Sequence, residues 1–278
     1  MPHGPEVERL GRHLPAVDRA AMARIVSQEE LKNAKRFGPF VPVFQIDPET
    51  IVKTGQTVRL CEAETMKFVR DRTSIPVPQV YNAYTDDTTG HVRIVMEFVE
   101  GRNLDRAWET YTDSEKQSVV SQLRKYMDEL RQITGSYIGS VDGSWCNDHY
   151  FDNERGAYGP FANEDEFNEG IVRALRKSQP YDWVEYYCDI FKEVMVDHKI
   201  VMTHNDMDPR NIIVQGSKVV ALLDWELSGY FPEYWEYCKA MRRPDWESAW
   251  VKERVLEKIM KPYRKEMSVI WNTTEIIW

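Results

Sequence analysis

Apolar positions along this chain fall first into short strand-like runs and later into helical spacing. Val41 to Ile46 and Thr50 to Thr54 read as two strands joined across Asp47-Pro48-Glu49, a turn signature. A helix follows from about Gln56 to Arg72, where Leu60, Ala63, Met66 and Val69 recur every three residues and Glu62 and Glu64 flank the stripe. The prolines of Ser74-Ile75-Pro76-Val77-Pro78 enforce an extended connection. Val92 to Val99, bounded by Gly90 and Gly101, reads as a central strand. Ahead of this block, residues 1 to about 40 are charged, with helical spacing from Ala20 to Leu31 and a break at Gly38-Pro39.

After Gly101 the period becomes helical. Leu104 to Tyr111 is one helix, and Ser114 to Ile133 is a long one with Ser114 as its cap. Residues 134 to 165 carry Gly, Asp, Asn and aromatics without periodicity, and a loop of that length in a compact protein is usually functional or mobile. Phe167 to Lys177 and Tyr181 to His198 read as helices, Trp246 to Tyr263 as an amphipathic helix pair, and the tail ends Ile276-Ile277-Trp278. Strands thus concentrate before Val99 to Gly101 and helices after it. This predicts an α+β protein with a strand-rich lobe at 1–100 and a larger, mainly helical lobe at 101–278.

Composition narrows the class. The chain has 278 residues, 42% hydrophobic and 29% charged, as a globular protein does. No apolar run reaches the roughly 20 residues that span a bilayer, and the first residues have no apolar signal core. The expected location is therefore cytoplasmic, with no membrane partner. A formal charge of -9 argues against nucleic acid, which asks for a basic face. Cys61, Cys146, Cys188 and Cys238 are scattered without a CxxC pair, so reduced thiols are expected. Oligomeric state leaves no trace in the sequence.

The chemistry lies in Thr203-His204-Asn205-Asp206-Met207-Asp208-Pro209-Arg210-Asn211 and the segment after it. Ile212 to Val214 reads as a strand, Gln215 to Lys218 as a tight turn and Val219 to Leu223 as the return strand. Asn211 then stands just before the hairpin and Asp224 just after it, so the two are neighbours. A carboxylate beside an amide oxygen suits Mg²⁺, which shares its remaining positions with water and phosphate. Asp206, on the preceding loop, is left to orient or deprotonate a hydroxyl.

His204-x-Asp206-x-x-x-x-Asn211, with Asp224 thirteen residues further on, resembles the catalytic and metal loops of the aminoglycoside phosphotransferase and choline kinase family. Leu223-Asp224-Trp225-Glu226 and Phe231-Pro232-Glu233-Tyr234-Trp235-Glu236-Tyr237 resemble in particular the fungal phosphotransferase-family proteins. The resemblance runs from about Ile51 to about Tyr263. It implies a bilobal protein-kinase-like fold, ATP and Mg²⁺ as cofactors, and transfer of the γ-phosphoryl group to a small-molecule hydroxyl. Asp206 would be the catalytic base or hydroxyl orienter, and Asn211 and Asp224 the metal ligands. Lys53 would bind the α- and β-phosphates and be positioned by a helix glutamate. Periodicity does not separate Glu62 from Glu64, while the family register, about one dozen positions before Pro76, favours Glu64. Met96, Glu97, Phe98 and Val99 resemble the strand and hinge that meet adenine. No phosphate-cradling glycine motif is present, and only Gly38 precedes Lys53 at a workable distance.

Two positions depart from the family pattern. Asn205 replaces the usual glycine, and Asn tolerates unusual backbone angles; Met207-Asp208 replaces a leucine-led pair. His204 is expected to brace the loop, and Asp208 and Arg210 to cap or tether it. Acceptor contacts are expected from the helical lobe. Asp148, Asp152, Glu154, Trp145 and Tyr150 would make an acidic, aromatic mouth, with Glu226 and Trp235 near the metal end. Trp225 could be core, and Glu226 and Glu236 either pocket acids or capping partners. A catalytically silent nucleotide- or ligand-binding protein on the same fold is the alternative. A protein kinase is disfavoured by the missing His-Arg-Asp, Asp-Phe-Gly and Ala-Pro-Glu signatures. A metal hydrolase would leave Lys53 and its glutamate unexplained.

Overall fold

A computed structural model describes residues 24–38, 41–148, 151, 158–242 and 244–277. It opens with α1 (Gln28–Asn33), where Ser27 and Glu30 close a reciprocal capping box. Then come β1 (Lys35–Phe37), β2 (Val43–Asp47), β3 (Thr50–Gly55), α2 (Leu60–Arg72), β4 (Val80–Thr85) and β5 (Val92–Glu97). The five strands form one antiparallel sheet in the order β1-β2-β3-β5-β4. Alternation along β5 sorts its side chains between two faces. Ile94 and Met96 join the main core with Ala63, Met66 and Val69 of α2, while Val95 meets Val26, Leu31 and Val52 under α1. The helix expected from Ala20 to Leu31 begins outside the described residues; within them 24–27 are not helical, and the helix runs only from Gln28 to Asn33, capped by Ser27.

The second half begins with β6 (Arg102–Asn103), α3 (Leu104–Ala107), a 3₁₀ turn at Trp108–Thr110 and α4 (Asp113–Arg131). The cap of α4 is Thr112 rather than Ser114: Thr112 and Glu115 satisfy each other's backbone N–H, a box written in the sequence as Thr-Asp-Ser-Glu. Val119, Leu123, Met127 and Leu130 then bury one face of the helix. Next come α5 (Glu164–Ser178), α6 (Asp182–Val194), β7 (Ile200–Thr203), β8 (Ile212–Gln215), β9 (Lys218–Leu222) and β10 (Gly229–Pro232). The chain continues through α7 (Trp235–Arg242), α8 (Ala249–Lys252), α9 (Val255–Ile259) and α10 (Arg264–Ile277). The helix pair expected between Trp246 and Tyr263 is the two short helices α8 and α9, while the segment expected as a tail is the helix α10.

Two small sheets carry the functional loops. β8 and β9 form the predicted hairpin, with Ile212 opposite Leu222 and β6 on its other edge. β10 pairs with β7, placing Gly229 opposite Thr203. The segment from His204 to Asn211 therefore leaves β7 and enters β8, and the segment from Leu223 to Ser228 leaves β9 and enters β10. Both connections open at the same end of these strands. Among the described residues no helix is long and apolar enough to cross a membrane.

Candidate active site

Lys53 stands in the middle of β3, between Val43 of β2 and Ile94 of β5, and its side chain is buried. Its Nζ donates to Glu62 Oε1 at 2.9 Å, Asp224 Oδ1 at 2.8 Å and Glu226 Oε2 at 3.0 Å. Burial works against the lysine charge, but the three carboxylates, Glu62 foremost, outweigh it and hold the ammonium well above the usual lysine range. Burial likewise pushes the Glu62 carboxyl up to about 7, against the pull of Lys53.

The partner of Lys53 is therefore Glu62, and the expectation of Glu64 is corrected. Glu62, Thr65, Met66 and Val69 follow i, i+3, i+4, i+7 spacing and are all buried, so they share the inward face of α2. Glu64, two residues on, is turned by about 200° from Glu62. It is exposed and pairs with Lys67 at 2.9 Å.

The loop after β7 is held by side chains turned back on its own backbone. Asn205 has φ 66°, a left-handed conformation that glycine or Asn accepts, and its Nδ2 donates to Leu227 O at 2.9 Å. The Asp206 N–H donates to His204 Nδ1 at 3.1 Å, which requires Nδ1 to be unprotonated and places the proton on Nε2. Nε2 in turn meets Leu223 O at 2.9 Å. Burial lowers the His204 pKa and keeps the ring neutral. With both nitrogens committed, His204 is a brace between the two loops. Asp208 caps the 3₁₀ turn Pro209–Asn211 and takes the Arg210 guanidinium in a two-pronged pair at 2.9 Å.

Asn211 donates through Nδ2 to Asp206 Oδ2 at 2.9 Å and to Asp206 O at 3.0 Å. The Leu223 N–H donates to Asn211 O at 2.8 Å, so Asp224 begins beside Asn211 as the hairpin argument required. Asp224 has φ 63°, a costly conformation for a non-glycine residue, with its carboxylate on Lys53. Asp206, Asn211, Asp224 and Lys53 are thus one linked set. Its charge and donors suit a divalent cation. Three carboxylates surround one lysine, the Asp224 side chain is 36% exposed, and the Asn211 amide makes its bonds through nitrogen, leaving its oxygen. Among the described residues no three His, Cys, Asp or Glu side chains gather as a metal cage. Mg²⁺ is commonly held by one or two protein oxygens plus phosphates, a set that Asn211 and Asp224 can supply.

At the end of β5, Met96 is buried in the main core and Phe98 stacks on Phe37 with ring centroids 6.2 Å apart. The Glu97 N–H donates to Gln79 O and the Phe98 N–H to Glu49 O. Of the three N–H groups at Glu97, Phe98 and Val99, two are therefore used within the chain.

The acceptor contacts expected from sequence are redistributed. Trp235 is fully buried and donates to Asp148 Oδ2 at 3.0 Å, while Asp148 is buried and paired with Lys239 at 3.0 Å. Neither faces a substrate: an indole flanked by aromatic neighbours belongs to the core, and an acid beside a buried lysine belongs to an internal ion pair. Glu226 belongs to the Lys53 cluster, and Trp225 is core, its Nε1 donating to Leu222 O. Trp145, 38% exposed, has the Arg59 guanidinium 3.7 Å from its ring centroid. Tyr150, Asp152 and Glu154 lie outside the described residues. Glu236 is fully buried, with Oε2 accepting from His204 N at 2.5 Å and Oε1 from Asn205 N at 3.0 Å. No local sequence pattern marked that role.

Residues 50–258 match the model of the phosphotransferase enzyme family, well over half of the chain. Two subtelomeric hrmA-associated cluster proteins, from two strains of Aspergillus fumigatus, are each 30% identical over 104 residues, covering 35% of this chain and 20% of theirs. The chain thus spans about a fifth of the length of these relatives. Among solved structures, ADP-bound aminoglycoside phosphotransferase APH(2'')-Ib is similar with TM-score 0.61 at 14% identity, covering 91% of each chain. The streptomycin–ATP ternary complex of APH(2'')-IIa is similar with TM-score 0.60 at 12% identity, covering 92% of this chain and 91% of that one. The GDP complex of aminoglycoside 2'-phosphotransferase-IIIa gives 0.60 at 11%, covering 88% and 84%. Such identities establish a shared fold, the protein-kinase-like α+β fold of the aminoglycoside kinases. With its family match running from β3 to α9, the chain belongs to the phosphotransferase enzyme family.

Proposed function

We propose that this protein is an ATP- and Mg²⁺-dependent small-molecule kinase that transfers the γ-phosphoryl group to a substrate hydroxyl. The observation that carries the reading is the buried Lys53, joined at once to Glu62 of α2 and to Asp224 at the end of the hairpin. A charged lysine held there costs stability unless it is closely paired, and phosphate oxygens are anions that could take the place of Asp224 and Glu226 on it. In this reading the 1–100 lobe holds the nucleotide and the 101–278 lobe the acceptor.

Each residue then has a task. Lys53 binds phosphate oxygens, and Glu62 keeps its ammonium in place. The backbone at Glu97 to Val99 meets the adenine edge, with the Val99 N–H as its donor. Asn211 and Asp224 hold Mg²⁺, which when bound supplies charge neutralisation on the phosphates. Asp206 orients the acceptor hydroxyl and receives its proton, while the Asn211 amide on Asp206 Oδ2 fixes the carboxylate's direction. Little covalent chemistry is asked of the protein; positioning and electrostatics carry the rate.

The solved neighbours include complexes with streptomycin and kanamycin, which supports a polar hydroxylated acceptor without naming it. ADP release would be followed across a panel of hydroxylated amines, sugars and aminoglycosides, with Asp206→Asn as control. Acceptor-dependent release that the substitution lowers by about 10²–10⁴-fold, with nucleotide binding retained, supports the reading. No release with any acceptor, together with retained Mg-ATP binding, would instead favour a silent binding protein.

A further inference from the structure

We propose that the segment from Ser144 to Asn147 is a clamp that holds α2 in register with the loop bearing Asp224, through the positioning residues Arg59, Trp145 and Asn147. The starting point is a residue that helix rules would not put where it is. Arg59 is the N-cap of α2, with extended backbone angles and no side-chain bond to the helix. A guanidinium cannot accept the free N–H groups of a first turn, and its charge opposes the positive end of the helix dipole. Arg59 therefore does nothing for α2 as a cap, and its side chain is engaged elsewhere.

It crosses to the segment between α4 and α5. The guanidinium stands 3.7 Å from the Trp145 ring centroid and donates through Nη2 to Ser144 Oγ at 2.7 Å. The surface that receives it is braced from within. Ser144 N donates to Asp142 Oδ1 at 3.0 Å, and Ser140 Oγ donates to Trp145 O at 2.9 Å. Cys146 is fully buried, and its N–H donates to Tyr158 O at 2.9 Å. Two residues beyond Trp145, Asn147 Nδ2 donates to Glu226 O at 3.0 Å. Asp224 and Glu226 reach Lys53 from that loop, and Glu62 reaches it from α2, three residues after Arg59. Four consecutive residues thus touch both elements that bring carboxylates to Lys53.

The far end of α2 is tied separately. Ser74 Oγ donates to Glu129 Oε1 of α4 at 2.6 Å, and the Leu222 N–H donates to Pro76 O at 2.8 Å. The first turn, which carries Glu62, has Arg59 as its tie to the clamp. Trp145 is 38% exposed and Arg59 half-buried, so this contact can open without unfolding the core. Opening frees the first turn of α2 and loosens the hold of Glu62 on Lys53. The consequence for nucleotide binding rests on the proposed phosphoryl-transfer reading, while the grip on α2 does not.

The test uses the full chain, with amide hydrogen exchange for the clamp and a fluorescent ATP analogue with Mg²⁺ for the site. Arg59→Ala should speed exchange at Ala63 to Met66 by about 2- to 30-fold, the range that a cation–aromatic contact supplies. Amides of β5 should keep their rates. Trp145→Leu should reproduce this change, whereas Trp145→Phe, which keeps an aromatic face, should retain most of the protection. Asn147→Ala should act instead on Leu227 and Ser228. For the site, Arg59→Ala and Trp145→Leu should each weaken binding of the analogue by at least about twofold. The double variant should bind no more weakly than the worse single one, because both remove the same contact. Should Arg59→Ala fail to fold, Arg59→Lys keeps the charge without the planar fork and should give the same changes in weaker form. Were Arg59 only a poor cap, removing its charge would leave exchange in the first turn unchanged or slower. That result overturns the clamp, as does a Trp145→Leu protein with undiminished protection. No change at Leu227 and Ser228 in Asn147→Ala overturns its second grip. Losses of affinity that multiply in the double variant overturn the role at Lys53. If the unsubstituted protein binds no nucleotide at all, the kinase reading falls and the exchange results still decide the clamp.

Discussion

Replacing Lys53 by Met leaves the carboxylates around it in unequal positions. The Asp224 and Glu226 side chains are 36% and 28% exposed and can turn towards water, but that of Glu62 is 2% exposed and cannot. A buried ion left without its partner costs about 3–5 kcal/mol. At roughly 2–4 °C per kcal/mol for a chain somewhat shorter than this, Lys53→Met should melt on the order of 10 °C below the unsubstituted protein. The companion Lys53→Met/Glu62→Gln removes both buried charges, and replacing a whole buried pair is often close to neutral. The double variant should therefore recover most of the loss. Glu64→Gln touches only an exposed pair and should stay within about 0.5 kcal/mol. Thermal unfolding followed by circular dichroism reads all three at neutral pH. A Lys53→Met protein as stable as Glu64→Gln, or a double variant worse than the single one, would refute the wiring of this site.

Further predictions concern the frame. Thr112→Ala should cost about 1 kcal/mol by removing the cap of α4, while Ser114→Ala should cost less than about 0.5 kcal/mol; denaturant midpoints separate them. A methyl group on Gly229 would stand 2.5 Å from Gly139 O across the β7–β10 region, so Gly229→Ala should lose about 1–3 kcal/mol, and an unchanged melting temperature would contradict that. His198 lies between Glu164 at 2.7 Å and Glu266 at 3.6 Å. Burial opposes its charge, yet the bond to Glu164 and the two carboxylates raise its pKa above the ordinary value of 6.5. Its contribution is then full below that value and fades as pH rises through the raised one. The stability gap between the unsubstituted protein and His198→Gln, measured by urea unfolding, should shrink from about pH 6 to about pH 9. A gap that grows with pH would contradict the sign.

The hairpin was legible because strand, turn and strand are written locally, and Asn211 and Asp224 come together from that alone. So were β3, β5 and the existence of the long helix α4. The partner of Lys53 was also legible and was misread. A three-residue count along α2 does not separate the two glutamates and the family register favours Glu64, whereas i, i+3, i+4, i+7 spacing through Thr65, Met66 and Val69 points to Glu62. β7 and β10 were not legible: each is four residues long, and each finds its partner across more than twenty residues of chain. Asp148 and Trp235 looked like substrate contacts because acids and indoles in irregular segments often are. Only the fold reveals that such an acid is buried in an ion pair with Lys239. Glu236 is the extreme case, since its partners are backbone N–H groups, which every residue type but proline offers.

If Lys53, Asp206, Asn211 and Asp224 form a phosphoryl-transfer centre, phosphorus NMR of a reaction containing ATP, Mg²⁺ and the best acceptor from the panel should show it. The γ-phosphate resonance should decline as a phosphate-ester resonance of the acceptor grows, and Asp206→Asn should suppress both changes. No ester resonance with any acceptor, from a folded protein that also fails to bind Mg-ATP, would contradict it.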